Sequence, residues 1–261
     1  MAEIIIVKDA AAAGELAAEA ILRLVARKPD AVLGVATGST PLSTYQALAR
    51  TVKAENLDLS AVRGFALDKY VGIPVEHPES YRSVITREVV EPLGLTPSLV
   101  HVPNGRLDGI QHAGDEYEAA IRAAGGVDLQ ILGIGRTGHI GFNEPGSSLA
   151  SLTRTKTLTE QTRIDNARFF DSIDDVPTHC ITQGLGTILR AEHLVLLAFG
   201  EAKADAVAAA VEGAVTSSQP GSVIQLHAHA TVIVDEAAAS KLAFADYYRQ
   251  SWDTRFDWEV I

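Results

Sequence analysis

Short apolar runs rich in β-branched residues recur along the whole chain, with segments of helical periodicity between them. The runs occupy residues 4–7, 31–36, 62–67, 129–132, 194–199 and 231–234. Such runs are typical of strands that are buried on both faces, as strands in a parallel sheet are. The sequence therefore predicts a parallel sheet at the centre of the fold.

The segments between these runs have the periodicity of helices that pack on a sheet. They span residues 10–27, 42–52, 80–90, 110–124, 178–189 and 203–211. In the second of them, Leu42, Tyr45 and Leu48 share one helical face, as packing on a sheet requires. Because strands and helices alternate from end to end, we predict an α/β fold with an open, doubly wound, mostly parallel sheet and helices on both faces. This Rossmann-like architecture would form a single domain over residues 1–261.

One polar segment, from about residue 145 to 176, interrupts this alternation. It carries Arg154, Lys156, Arg163 and Arg168 among few well-spaced apolar residues. An excursion of this length inside a compact domain is usually functional. We predict that it forms a lid over a site or a surface for a partner.

The charge balance and the apolar stretches limit the kinds of partner. The formal net charge is -11 at pH 7, and the basic residues are scattered, so we expect neither a nucleic acid nor an anionic membrane as partner. The alanine-rich stretch 204–211 is interrupted by Asp205 and falls far short of the ~20 apolar residues that span a bilayer. The first twenty residues lack the pattern of an export signal. Cys180 is the single cysteine, which excludes an intramolecular disulfide, and we expect a cytoplasmic protein.

The stretch Thr-Gly-Ser-Thr-Pro at residues 37–41 follows the second predicted strand. Ligands of open parallel sheets bind at the carboxyl ends of strands, where the amides of the next helix point outward. Gly38 permits a turn with positive φ, and Pro41 fits the first helical turn. These features predict a phosphate site, although an ordinary capped helix start would use the same residue types.

Two cations elsewhere in the chain favour the phosphate reading. Lys203 falls in the first turn of a predicted helix, where a cation opposes the helix dipole unless an anion binds between them. Arg168, in the polar segment, would add a bidentate clamp, although an exposed arginine alone is usually only solvated.

Asp68 directly follows the apolar residues 65–67 of the third predicted strand. Its carboxylate would lie at the sheet edge, partly buried, and partial burial raises a carboxyl pKa toward the working range of a general base. A lone aspartate at such a point can equally be a turn or helix cap.

The segment 133–145 is the richest in chemistry, because four glycines within nine residues surround His139. Glycines at this density mark a sharp turn or a close approach to a ligand, and histidine transfers protons near neutral pH. Glu144 is close enough in sequence to orient the His139 ring. The glycine spacing is a weak signal for a dinucleotide site, and a purely structural histidine is the alternative.

Five stretches in order resemble the glucosamine-6-phosphate deaminase family over nearly the whole chain. They lie at residues 36–41, 67–72, 77–81, 138–145 and 166–170. The resemblance implies a Rossmann-like sheet and the conversion of glucosamine 6-phosphate to fructose 6-phosphate and ammonia, in amino-sugar catabolism, without a metal or an organic cofactor.

The resemblance also implies roles for individual residues. Asp68 would transfer the proton from carbon 2 to carbon 1 of the open-chain sugar. His139, oriented by Glu144, would shuttle the proton that opens the pyranose ring. The 6-phosphate would be held by Gly38, Ser39, Thr40, Arg168 and Lys203.

Two positions depart from the family's pattern. Thr137 stands where relatives carry aspartate or asparagine, so ring opening would depend on His139 and Glu144 alone. Lys69 stands where relatives carry glutamate. We expect its ammonium group to lower the pKa of Asp68 and to move the acid limb of the pH profile to lower pH.

Some members of this family are hexamers activated by N-acetylglucosamine 6-phosphate at subunit interfaces. The resemblance implies a homo-oligomer, a hexamer or a trimer, with an allosteric site formed by Ser147, Arg154, Lys156, Thr157 and, as a weaker match, Tyr247. Arg154 and Lys156 would share one face of an extended segment, as a second phosphate site could use. A solvated basic lid is the alternative.

Two other functions fit parts of the sequence. A 6-phosphogluconolactonase would share the phosphate site and the histidine, but residues 67–70 and 142–145 favour the deaminase. A sugar-phosphate sensor that regulates transcription would need a DNA-binding helix-turn-helix. We expect none, because the first predicted strand begins near the start of the sequence.

Overall fold

The computed structural model describes residues 3–74 and 76–261, and within them the strands form two sheets. In chain order the strands are β1 (Glu3–Val7), β2 (Val32–Val35), β3 (Arg63–Ala66), β4 (Asp68–Tyr70), β5 (Val100–His101), β6 (Leu129–Gly133), β7 (Arg154–Thr157), β8 (His179–Thr182), β9 (His193–Ala198) and β10 (Ala230–Asp235). The large sheet has the order β1-β10-β9-β6-β2-β3-β5, and its neighbours pair in parallel. The small sheet has the antiparallel order β4-β8-β7.

Helices of the described residues follow most strands of the large sheet. They are α1 (Ala10–Arg27), α2 (Leu42–Glu55), α3 (Tyr81–Ile85), α4 (Glu91–Leu93), α5 (Ala113–Ala123), α6 (Glu160–Asn166), α7 (Leu185–Ile188), α8 (Ala204–Val211) and α9 (Ala245–Asp253). Every residue of β2 and β9 is buried, which requires cover on both faces of the sheet. The predicted α/β fold with a doubly wound parallel sheet is confirmed.

The helix α1 shows how local sequence and packing combine. The side chain of Asp9 caps its first turn by accepting a hydrogen bond from the Ala12 amide at 2.8 Å, which satisfies one of the free donors of the helix start. A β-carbon at Gly14 would come within 2.5 Å of the Ser43 backbone. The absence of a side chain at Gly14 therefore lets α1 and α2 pack in direct contact.

The predicted helix over residues 178–189 is wrong for its first half. Residues 179–182 form β8, and only Leu185–Ile188 is helical. Ile181 and Thr182 are β-branched and favour a strand, and β8 pairs on both sides, with β4 and with β7. The small sheet, the short strand β5 and the helices α6 and α9 were not predicted.

The polar segment 145–176 contains regular structure. It includes β7 and α6, and α6 is capped by Thr159, whose hydroxyl accepts a hydrogen bond from the Thr162 amide. Leu158 belongs to a second apolar cluster, which also contains Tyr70, Tyr81, Phe142 and Cys180. The segment is thus anchored to the small sheet at its middle.

In the described parts of the chain, no helix combines the length and the apolar character that crossing a membrane demands.

Candidate active site

A cavity of about 860 Å³ opens at the carboxyl ends of β2, β3, β6 and β9. Parallel strands direct the loops that follow them to one edge of the sheet, where ligands bind. The cavity brings together seven of the predicted site residues, which are Gly38, Ser39, Thr40, Asp68, His139, Arg168 and Lys203. Residues from five separate parts of the sequence thus share one site.

Asp68 is the first residue of β4 and is only 7% exposed. Burial raises the pKa of its carboxyl group to about 7, while a hydrogen bond from the Tyr81 hydroxyl acts in the opposite direction. Tyr81 is held in turn by a hydrogen bond with the Thr37 side chain. A carboxyl group with a pKa near neutrality is well matched to general base catalysis.

The expected effect of Lys69 on Asp68 is wrong. The pKa of Asp68 is raised, by burial, and not lowered. Both residues lie on β4, and successive side chains of a strand point to opposite faces. The Lys69 side chain lies instead against Gly105, where an added β-carbon would come 3.2 Å from the Lys69 methylene groups.

His139 is seated in a tight turn made by the glycines of its loop. The Gly135 amide donates to the His139 carbonyl at 2.9 Å, and the Gly138 amide donates to the Gly135 carbonyl at 2.9 Å. A β-carbon at Gly135 would lie 2.2 Å from the His139 Nε2 atom. Only glycine therefore leaves room for the imidazole ring at the cavity wall.

His139 Nδ1 lies in a three-way network of hydrogen bonds. It is 3.2 Å from Glu144 Oε2 and 2.9 Å from Thr137 Oγ1, and the Thr137 hydroxyl donates to Glu144 Oε2 at 3.0 Å. An acceptor as strong as the carboxylate places the proton of the neutral ring on Nδ1. The Nε2 atom is then left with a lone pair that can accept a proton.

Glu144 is 3% exposed and lies behind His139. Burial acts to raise its pKa, but hydrogen bonds from His139, Thr162 and Thr137 and the charge of His139 outweigh it and lower the pKa to about 2. Its second oxygen, Oε1, accepts hydrogen bonds from Thr159 at 3.2 Å and from Thr162. Glu144 is therefore ionised at neutral pH.

The sequence analysis missed Thr159 and Thr162. Their spacing, with Thr159 as the residue before α6, is a helix-cap signal. Nothing in the sequence shows that this helix start faces Glu144. The contact joins the polar segment to the carboxylate that lies against His139.

The residues of the predicted phosphate site meet at the amino-terminal end of α2. Gly38 has φ +94°, a conformation open to glycine, and the loop leads directly into α2. Burial lowers the pKa of Lys203, the carboxylate of Asp165 opposes this, and the charges of Arg168 and Arg136 lower it further. Lys203 is half-buried and directly precedes α8, and a cation at a helix start is the arrangement expected where an anion binds.

Arg136 and Asp165 also line the cavity, and no role was predicted for either. Arg136 lies inside the glycine-rich stretch, in which the sequence pattern points to the histidine and the glycines. Only the tertiary structure brings it beside Lys203.

The five predicted regulatory residues have different environments. Ser147 is buried, and its hydroxyl donates to the Glu144 carbonyl at 2.7 Å. Arg154 and Lys156 share the half-buried face of β7, whereas Thr157 is on the exposed face. Tyr247 is on α9 and is 63% exposed.

Arg154 also reaches the loop that carries His139 and Glu144. Its Nη1 atom donates to Asn143 Oδ1 at 2.8 Å. Asn143 is fully buried and donates to the carbonyls of Ile140 and Gln183 at 2.9 and 2.8 Å. The arginine thus supports the residue that precedes Glu144.

Comparison with known proteins agrees with this geometry. The family model described as glucosamine-6-phosphate isomerases/6-phosphogluconolactonase matches residues 8–233. A glucosamine-6-phosphate deaminase of Streptomyces avermitilis is 63% identical over 99% of this chain and 100% of its own length. Another, from Bifidobacterium longum, is 60% identical over the full length of both.

Solved structures show the same fold. One described as a monomeric glucosamine-6-phosphate deaminase is 40% identical, with a TM-score of 0.89, and covers 92% of this chain and 99% of its own. A 6-phosphogluconolactonase from Leishmania guyanensis shares the fold at 21% identity, with a TM-score of 0.74 over 92% of this chain and 98% of its own. The cavity contains the buried carboxylate of Asp68, the hydrogen-bond network of His139 and the cations near a helix start, which agrees with these similarities. The chain therefore belongs to the glucosamine-6-phosphate isomerase/6-phosphogluconolactonase family.

Proposed function

We propose that this protein is a glucosamine-6-phosphate deaminase, which converts glucosamine 6-phosphate and water to fructose 6-phosphate and ammonia. The observation that carries the proposal is the placement of Asp68, with a pKa raised to about 7, in one cavity with His139 and the cations around Lys203. Relatives at 60% and 63% identity bear this name. The reaction would belong to amino-sugar catabolism, and the single cysteine, Cys180, which is free and buried, fits a reducing cytoplasm.

Ring opening is the task of His139. Its Nε2 atom accepts the proton of the sugar's anomeric hydroxyl and returns a proton to the ring oxygen, which breaks the bond between carbon 1 and that oxygen. The ionised Glu144, 3.2 Å from Nδ1, stabilises the imidazolium that forms between these two transfers. Thr137 supports both groups by hydrogen bonds but cannot act as a base.

Isomerisation is the task of Asp68. Its carboxylate removes the proton from carbon 2 of the open-chain aldehyde, one proton of the substrate's ammonium group passes to the aldehyde oxygen to give an enolamine, and Asp68 returns its proton to carbon 1. Carbon 2 is then an iminium carbon, and water adds to it and displaces ammonia, leaving the ketone of fructose 6-phosphate. A base with a pKa near 7 is half ionised at neutral pH and can both accept and return the proton.

The 6-phosphate is bound where α2 begins. Amides of Gly38, Ser39 and Thr40 and the dipole of α2 favour an anion, and Lys203 and Arg168 provide charge. Because these contacts are remote from carbons 1 and 2, they orient the reacting end of the sugar toward Asp68.

We further propose that a second sugar phosphate regulates the enzyme through Arg154. The hydrogen bond from Arg154 to Asn143 and that from Ser147 to the Glu144 carbonyl both bear on the loop of the catalytic network. A ligand that binds Arg154 or Lys156 would therefore act on ring opening. A solvated basic surface is the alternative.

The position of Tyr247 makes this regulation depend on oligomerisation. The helix α9 packs beside β1, at one edge of the large sheet, whereas β7 packs on α5. A site that contains both Tyr247 and Arg154 would have to form between copies of the chain, in a trimer or hexamer. Sedimentation analysis, with kinetics measured with and without N-acetylglucosamine 6-phosphate, tests this. A monomer with unchanged hyperbolic kinetics would contradict it.

The reaction is tested by measuring ammonia and fructose 6-phosphate release from glucosamine 6-phosphate. We expect equal amounts of both products, and a loss of about 10³-fold or more in kcat for Asp68→Asn, since an amide cannot take the proton. 6-Phosphogluconolactone serves as the control substrate, and its hydrolysis without ammonia release would identify a lactonase instead. Circular dichroism of the variant establishes that it is folded.

A further inference from the structure

Arg136 lies on the wall of the cavity, between two residues of the histidine loop, Gly135 and Thr137. Its side chain is 54% exposed, and its Nη1 atom is 3.5 Å from Asp165 Oδ1. Asp165 belongs to α6 and lines the same cavity. The ion pair thus joins the loop of the catalytic histidine to the polar segment, at the edge of the phosphate site.

The charges around Lys203 are not balanced within the protein. Asp68, Glu79, Arg87 and Glu88 also line the cavity, but the charges that act on Lys203 are those of Arg136, Arg168 and Asp165. Three cations against one carboxylate leave a local surplus of two positive charges, in a chain whose net charge is -11. A phosphate monoester carries about -1.5 to -2 at neutral pH, so it would balance this surplus.

The ion pair between Arg136 and Asp165 is loose. At 3.5 Å it is longer than a charge-assisted hydrogen bond, which is typically about 2.7–2.9 Å, and exposed pairs of this kind contribute little to stability. Asp165 Oδ1 also accepts a hydrogen bond from Gln161 Nε2 at 2.8 Å. Asp165 would therefore keep a partner if Arg136 turned away from it.

We propose that Arg136 is a further ligand of the substrate's phosphate group, and that it exchanges Asp165 for the phosphate when the substrate binds. The inference rests on the phosphate site proposed above and assigns it one more side chain. Asp165 competes with the phosphate for this guanidinium group.

The first test compares Arg136→Gln with Lys203→Gln and with the control Arg50→Gln. Arg50, on α2, is similarly exposed and pairs with Glu15 on α1. Neither residue lines the cavity, so the variant controls for the loss of one positive charge. For Arg136→Gln we expect KM for glucosamine 6-phosphate to rise about tenfold, with kcat changed less than about threefold, as for a contact made equally in ground and transition states. The inhibition constant of inorganic phosphate should rise by a similar factor.

Two outcomes separate the inference from the site on which it rests. If Lys203→Gln raises KM while Arg136→Gln behaves like Arg50→Gln, the phosphate site stands and the role of Arg136 is overturned. If neither Lys203→Gln nor Arg136→Gln changes KM or the phosphate inhibition constant, the site itself is misplaced and both proposals fail.

The second test addresses the exchange with Asp165. We expect Asp165→Asn to tighten inorganic phosphate binding about threefold, because it removes the competing carboxylate. In a double-mutant cycle this gain should be largely lost on the Arg136→Gln background. A gain of equal size on both backgrounds would mean that Asp165 acts on the phosphate only through its general charge, and it would overturn the exchange.

Discussion

The two sheets of this protein differ in composition and in task. In the large parallel sheet, β9 is buried at every position and is apolar apart from His193. In the small antiparallel sheet, β4 carries Asp68 and Lys69, and β7 alternates half-buried and exposed residues. The large sheet supplies the core and a row of loops, while the small sheet supplies Asp68, the proposed base, and its surroundings.

The register of the small sheet explains its importance. Asp68 pairs with Thr182 on β8, and Thr182 pairs with Arg154 on β7. The Thr182 hydroxyl accepts a hydrogen bond from the Phe142 amide at 3.1 Å, in the loop between His139 and Glu144. One row of this sheet thus connects the base, the histidine loop and the proposed regulatory arginine. The comparison indicates that stability is concentrated in the large sheet and catalytic geometry in the small one.

Leu196→Ala in β9 should show the largest effect on stability with the smallest on catalysis. Leu196 is 2% exposed in the main core, and truncation of a buried leucine costs about 2–5 kcal/mol. We expect that loss in urea unfolding, with kcat per folded molecule changed less than about twofold. A large fall in kcat in protein shown to be folded would break the division between the sheets.

His193, the first residue of β9, should make the stability of the large sheet sensitive to acid. Burial, with the nearby His229 and His227, lowers its pKa to about 3, against about 6.5 in the unfolded chain. As pH falls below 6.5, the unfolded state takes up a proton that the folded state does not. The free energy of unfolding should therefore decrease by about 2 kcal/mol by pH 5 and continue to fall toward pH 3.

The contribution of His193 is isolated by comparison with His193→Gln. The difference in unfolding free energy between the two proteins should shift by about 2 kcal/mol in favour of the variant between pH 7 and pH 5, since other groups titrate in both. Parallel pH curves for the two proteins would show that His193 is not the sensitive group.

Thr182→Val in β8 should affect mainly catalysis, whereas Leu196→Ala should affect mainly stability. The substitution nearly preserves side-chain shape but leaves the Phe142 amide without its acceptor, which costs about 1–3 kcal/mol. Because that amide belongs to the histidine loop, we expect about a tenfold decrease in kcat. Thr231→Val in β10 is the matched control, because Thr231 bonds His193 at the other end of the large sheet. Equal losses of kcat in both variants would contradict a special role for the small sheet.

Tyr81→Phe should give the smallest effect, a shift of the pH profile. The Tyr81 hydroxyl lowers the pKa of Asp68, although burial dominates and raises it to about 7. Its removal should raise that pKa, so the acid limb of kcat/KM should move from about pH 7 to higher pH, by about half a unit to one unit. A limb that stays in place or moves to lower pH would show that Tyr81 does not hold the ionised carboxylate.

Six of the seven strands of the large sheet in the described residues were predicted within about a residue or two of their ends, because each coincides with a local apolar run, whereas the two-residue edge strand β5 was missed. The cavity could be placed for the same reason, since the carboxyl ends of parallel strands meet at one edge. The small sheet could not be found this way. Its strands are short and partly polar. Because β8 is followed by the helical turn α7, the periodicity of residues 178–189 predicts a single helix.

Local sequence determined the α/β class, the glycine-rich turn around His139 and the turn at Gly38 before α2, because these depend on periodicity and on the conformational freedom of single residues. Tertiary structure decided the protonation of Asp68, which follows from burial and not from its neighbour Lys69. It also decided the partners of Glu144 and the placement of Arg136 beside Lys203. These features arise between residues distant in sequence, where burial and through-space charge set the chemistry.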